Sequence, residues 1–258
     1  MATKLKILNA PRSQSVSKVA TSNGGHVYWV KQTTAVDYNL FYEKHFIKYE
    51  NGNSSIYNTI QAAINAAKAN VGDVIYVAEG YAETISAAAG IALNKAGVAI
   101  IGLGTGNTRP TITFDGTDAT PSITNTAASV TWANIIHICN EASMAHMLDL
   151  TADDFTVEDC DFREGSTTGL SFITADGSDA DCDRLTIRRC RFYAPTAGNM
   201  DNAIQLAKDF VGVRIEDCDI YGDFDDAGIH IPAGGNACLD LAIRRCRVAN
   251  LLTNVAAI

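Results

Sequence analysis

The residues of this 258-residue chain that could do chemistry are seven cysteines, five histidines and many aspartates. Four cysteines, Cys160, Cys190, Cys218 and Cys246, stand 30, 28 and 28 residues apart (190−160, 218−190, 246−218). Regular thiols invite a metal site or a set of disulfides. If the four lie on stacked strands they form a straight column, which cannot surround a zinc ion tetrahedrally. In-register strands also hold Cβ atoms about 4.8 Å apart, wider than the roughly 3.8 Å mean of a disulfide. These cysteines therefore read as a core stack of small apolar side chains. Seven is odd, so not all can pair within one chain. Cys139, Cys182 and Cys238 lack ligand-like spacing.

The carboxylates offer sharper candidates. Asp223, Asp225, Asp226 and His230 are close in sequence and could supply an acid and a base; a polar loop before a surface histidine is the plainer meaning. Asp149, Ser171, Gln205 and His230 are each flanked by apolar residues and read as an outward column. Its carboxylate and its histidine lie three repeats apart, about 14 Å at strand spacing, beyond the roughly 5–9.5 Å of paired-carboxylate hydrolysis. Asp179, Asp181 and Asp183 alternate as calcium loops do, without the turn glycine and distal glutamate, and read as a solvated loop. Gly102, Gly104 and Gly106 follow an apolar run, but Arg109-Pro110 and another apolar run come where a dinucleotide site needs a helix. No metal or cofactor is expected.

The elements that would position these residues are repeats. Four segments align without gaps: Phe155–Phe162, Leu185–Phe192, Val213–Ile220 and Leu241–Val248. Weaker copies are Val98–Thr105, with Leu103 at the cysteine position, and Val130–His137, with Ile135 there. Each copy reads apolar-x-apolar, two polar residues, apolar-x-apolar. Each half is a short strand with one buried face, and the polar pair turns the corner. A third strand lies upstream at Leu148–Leu150, Leu170–Phe172, Ile204–Leu206 and Ile229–Ile231. Three strands per repeat of about 28 residues make one coil of a stacked parallel β-helix.

The corner charges alternate by coil: Glu158-Asp159, Arg188-Arg189, Glu216-Asp217, Arg244-Arg245. The residue after each cysteine does the same: Asp161, Arg191, Asp219, Arg247. Each carboxylate is expected one coil from a guanidinium, in a ladder with several neighbours per charge. Six of the eleven arginines are used here, so they do not read as a polyanion-binding patch.

The chain starts differently. Residues 1–36 hold Lys4, Lys6, Arg12, Lys18 and Lys31 and no acid, so with a net charge of −9 the remainder carries −14 (−9 − 5). Residues 1–25 read as a basic polar arm, with Lys4, Lys6, Arg12 and Lys18 as docking residues. Residues 26–73 read as a strand, a loop and a helix over Ile56–Ala69 that caps the first coil, and residues 74–258 as the β-helix. The acidic balance argues against nucleic acid as a partner. No stretch of about 18 apolar residues predicts a membrane span, and the opening lacks the apolar core of a signal peptide.

Thr59–Ile64, Gly72–Val77, Gly80–Ile85, Ile101–Gly104 and Arg109–Phe114 resemble the first coils of the pectin-lyase-like right-handed parallel β-helix. The resemblance implies an all-β fold of about six to seven coils with an N-terminal capping helix. The paired-Asp, Gly-His-Gly and Arg-Ile-Lys motifs of the polygalacturonases in that family are absent; Val213-Arg-Ile-Glu216 ends in the opposite charge. The arrangement also resembles β-helix proteins of phage and prophage virions. That resemblance implies a non-catalytic capsid-decoration or spike subunit, assembled in the host cytoplasm, docked by its arm to a capsid or tail protein, and homotrimeric. Self-association is also expected from the apolar end of the chain, Leu251, Leu252, Val255 and Ile258. The alternative is a carbohydrate-active enzyme or glycan-binding module on the same fold.

Overall fold

A computed structural model describes residues 24–49, 52–116, 121–141, 144–165, 169–176, 182–198, 200–207, 210–232 and 238–251. The chain is a parallel β-solenoid of about seven turns. The first sheet has nine strands. Seven of them follow one coil at a time: Val74–Val77, Ala99–Gly102, Thr131–Ala133, Thr156–Glu158, Thr186–Arg188, Arg214–Glu216 and Ala242–Arg244. Val27–Val30 and then Ile56–Tyr57 extend its upper edge. The second sheet stacks Ala82–Ile85, Thr111–Phe114, Ile136–Cys139, Asp161–Glu164, Arg191–Ala194, Asp219–Gly222 and Arg247–Asn250. The third stacks Ile91–Leu93, Ile123–Asn125, Met144–Leu150, Gly169–Ala175, Met200–Leu206 and Phe224–His230.

The inward positions fill one continuous core. Trp132, Phe114, Phe155, Phe172 and Phe224 are fully buried. Phe162 stacks on Phe192 at 4.9 Å and on His137 at 4.4 Å between centroids. His137 accepts a hydrogen bond at its Nε2 from Trp132 Nε1 at 2.9 Å, and burial pushes its pKa down to about 3, so it packs as a neutral ring. Cys160, Cys190 and Cys218 are buried beside this stack. Their thiols donate to carbonyls one coil back, at Trp132, Val157 and Ile187.

The corner between the first and second sheets is the tightest feature. Asn134, Asp159, Arg189, Asp217 and Arg245 all adopt left-handed backbone, with φ of 58°, 56°, 53°, 54° and 52°. The first four donate their N–H to the carbonyls of Glu158, Arg188, Glu216 and Arg244, one coil on. A parallel left-handed column lies at the third-to-first corner, at Asn70, Gly97, Ser129, Asp154, Arg184, Gly212 and Asp240. The first-to-second corner is wider in the first two coils, where 78–81 intervene between Val74–Val77 and Ala82–Ile85, and 103–110 between Ala99–Gly102 and Thr111–Phe114. Pro110, not Leu103, therefore precedes the second-sheet strand as Ile135 does in the next coil, because Ile136 pairs with Thr111. Gly102 is needed there: a Cβ would collide with the Asn134 carbonyl oxygen.

Two expectations about the N-terminal region change. The capping helix runs only over Ile60–Ala66, because Ile56 pairs with Trp29 as strand and Thr59, extended, caps the helix by accepting from Ala62 N at 3.2 Å. It still buries Ile60, Ala63 and Ile64 on the first coil. A second helix, Tyr38–His45, was not expected from the sequence; it has no buried residue and is held by Trp29 against Phe41 and His45. Lys31 is not a free basic residue: it pairs with Asp37 at 2.9 Å.

Arg189→Asn and Arg189→Val both delete the ion pairs of Arg189, but only asparagine tolerates its backbone. The valine variant should be less stable than the asparagine variant by about 1–2 kcal/mol, or about 2–8 °C in melting temperature. Equal melting temperatures would contradict the left-handed corner.

Candidate functional site

The corner charges come first because most arginines are there. Glu158, Arg188, Glu216 and Arg244 stack in register, as do Asp161, Arg191, Asp219 and Arg247. Arg189 grips Asp159 with two bonds of 2.8 and 2.9 Å and also reaches Glu158. Arg188 bonds Glu158 at 2.6 Å. Arg245 grips Asp217 at 2.6 and 2.8 Å, Arg244 lies 3.8 Å from Glu216 and Arg247 lies 3.4 Å from Asp219. Asp217 is held below the usual carboxylate range, chiefly by Arg245.

The ladder is broken into separate clusters, with Glu158 shared by Arg188 and Arg189, rather than the continuous network expected. Among the described residues no ion pair joins Arg188 or Arg189 to Glu216 or Asp217. Each guanidinium fork commits to the carboxylates one coil back. Asp161 is also not an exposed rung. Its side chain is only 5% exposed and is taken by Arg163 at 2.6 Å and by Arg109, from the 103–110 loop, at 3.2 Å. Arg191 instead lies over the Tyr193 ring, 5.0 Å from its centroid. A groove of about 470 Å³ lies here between the Thr105–Arg109 segment, Arg189 and Arg191, walled largely by charges already paired with one another.

Sequence reasoning missed a second set of charges. Arg184 bonds both oxygens of Asp154, at 2.6 and 3.0 Å, and reaches Asp153 at 3.2 Å. The signal was present: Ser129, Asp154, Arg184, Gly212 and Asp240, all turn-formers or charged, each immediately precede an aligned repeat. Asp183 accepts from Val211 N at 2.7 Å; Asp179 and Asp181 lie outside the described residues, as do Lys4, Lys6, Arg12 and Lys18.

The outer face of the third sheet is different. Its outward column is Asp149, Thr174, Gln205 and His230. Ser171 does not belong to it: the strand is shifted so that Leu148 pairs with Ile173, and Ser171 lies fully buried beside His146 and Asn202. His146 Nε2 sits 3.7 Å from Asp149 Oδ2, and His230 Nδ1 sits 3.6 Å from Asp226 Oδ2. Asp201 lies one strand from Asp225 and Asp226. Burial, then the charges of Asp226 and Asp225, pushes its carboxyl up; burial, with Asp176 nearby, does the same to Asp149. Of the four residues expected together, only Asp226 meets His230. Asp223 forms the one-residue corner before Phe224, its N–H donating to Ala194 O at 2.7 Å. Among the described residues no group of three His, Cys, Asp or Glu side chains is placed to hold a metal ion, and no helix is long and apolar enough to cross a membrane.

No family model, curated protein or solved structure matches this chain. The site is therefore read from its own chemistry: two separate imidazole–carboxylate pairs on a face with excess carboxylates.

Because the folded Asp201 carboxyl titrates above its unfolded value, its ionised form weakens the fold at neutral pH, and that cost disappears as pH falls through the folded value. Asp201→Asn should raise the melting temperature at pH 7, by about 1–3 °C, with the gain vanishing near pH 3. A gain independent of pH, or a loss at pH 7, would contradict the crowding of Asp201 by Asp225 and Asp226.

Proposed function

We propose that this chain is a non-catalytic structural β-helix of a phage or prophage virion, a capsid-decoration or spike subunit on a pectin-lyase-like scaffold. The observation that carries this reading is how the arginines are used. They staple one coil to the next at the corners instead of converging on a substrate cleft. A solenoid stapled in this way suits a load-bearing part. The basic residues Lys4, Lys6, Arg12 and Lys18 then serve to attach it to an acidic surface of a capsid or tail protein, and the polar composition of that segment suits order on binding. Self-association as a homotrimer fits the last coil, where Leu239 and Leu251 are 60% and 42% exposed; Leu252, Val255 and Ile258 lie outside the described residues.

A second reading rests on Asp201, crowded by Asp225 and Asp226 beside His230. Carboxylates pushed apart in pKa are the raw material of acid–base hydrolysis, so a carbohydrate-active or glycan-binding protein is the competing proposal.

The test is incorporation. Particles assembled with Lys4, Lys6, Arg12 and Lys18 all changed to glutamate should lack the protein, while its circular dichroism stays unchanged. Normal occupancy of the variant would overturn arm docking, and hydrolysis of a polysaccharide by the purified chain, lost in Asp201→Asn, would favour the competing reading.

A further inference from the structure

Charge is distributed unevenly over the solenoid. At the corners, Asp153, Asp154, Glu158, Asp159, Asp161 and Asp217 each lie within 3.2 Å of an arginine. On the third sheet's outer face, Asp149 and Asp226 meet only imidazoles. Among the described residues, Asp176, Asp201 and Asp225 make no ion pair. Burial pushes Asp149 and Asp201 upward, and the neighbouring carboxylates, Asp176 for the first and Asp226 and Asp225 for the second, add to it.

An independent feature of the same face is its unmet demand for hydrogen-bond donors. Thr174, 6% exposed, sits in register between Asp149 and Gln205, and its buried Oγ1 has no partner. In-register residues of parallel strands point to the same side, so this oxygen belongs to the face that carries Asp149. Leaving such an atom unpaired is costly. A ligand that satisfies this surface brings positive charge and N–H donors together, as an extended basic peptide does.

The chain supplies such a peptide. Residues 1–23 carry Lys4, Lys6, Arg12 and Lys18 and no acid. They join the solenoid on the correct side. Gly25 packs directly on the backbone of Gly72. Asn70, two residues earlier, donates to Ala96 O, and Gly97 to Ala128 O. The junction therefore stacks on the corner between the third and first sheets. From Asp149 to His230 the face spans about 14 Å of axis, and 23 extended residues reach about 75 Å, so the segment can lie along the face. Being tethered, it is favoured over a free competitor by an effective concentration of about millimolar.

We propose that the acidic outer face of the third sheet is the docking surface of the chain's own basic segment, residues 1–23. The contact covers the face and holds the arm until a more acidic partner takes it. This stands whether or not the partner is a virion protein.

Zero-length carbodiimide cross-linking of the full chain, which joins lysine amines to carboxylates in contact, tests it. An equal mixture of ¹⁴N- and ¹⁵N-labelled protein identifies which chain each half comes from. The expected result is cross-links from Lys4, Lys6 or Lys18 to Asp149, Asp176, Asp201, Asp225 or Asp226. They should lie within one isotopic species and fall at least tenfold in 1 M salt, where screening acts over about 3 Å. Mixed-isotope cross-links to these aspartates would make a second copy the occupant and overturn the proposal. So would cross-links from the arm spread over other carboxylates, or none from the arm at all while Lys31 still links to Asp37.

Discussion

From Thr131 onward each coil of this protein turns twice through a left-handed residue, and the rest of the structure follows from that. At Asn134, Asp159, Arg189 and Asp217 the backbone reverses in one residue and sends its N–H to the carbonyl one coil on. A single-residue corner leaves no slack, so the strands on either side are locked in register with those above and below. Register then delivers the remaining features: the cysteine column, the His137–Phe162–Phe192 stack and the bidentate arginine pairs. Slipping by one residue would turn the buried set outward.

The corner also sets its own composition. β-Branched side chains are strongly disfavoured at positive φ, whereas Asn and Asp are favoured. Arginine at 184, 189 and 245 bears the backbone cost where its guanidinium reaches a carboxylate one coil back. Glycine takes the position at 97 and 212. Stability and conformational cost therefore meet at the same residues.

The periodic part of this was legible in the sequence. Cysteines 28–30 residues apart, apolar alternation and sign-alternating corner pairs led to coils, core stack and charge columns. The parts that failed were those where the period breaks. The 103–110 loop displaced one repeat by moving its inward position to Pro110. Apolar residues at 170, 172 and 173 allowed two registers for one third-sheet strand, and pairing with Leu148 chose the one that alternation alone did not. Asp161 looked like its counterparts until Arg109, from two coils away, took it. Of the candidate site, His230 and Asp226 were readable as neighbours in sequence. His146 and Asp149, three residues apart, were equally close in sequence but were not singled out as a pair, whereas Asp201 against Asp225 needed the strand register. The faces now divide cleanly: corners where charges are spent on the fold, and a third-sheet surface where they are not.

The most direct measurement of the central constraint is amide hydrogen exchange, resolved by residue, at the first-to-second corner. The N–H groups of Asn134, Asp159, Arg189 and Asp217 bond between coils. They should therefore exchange as slowly as the buried strand amides of Val157, Ile187 and Ile215, opening only with the whole solenoid. Fast exchange at these four, against slow exchange in the strands, would mean that the corners are ordinary solvent-exposed turns and that register is set elsewhere.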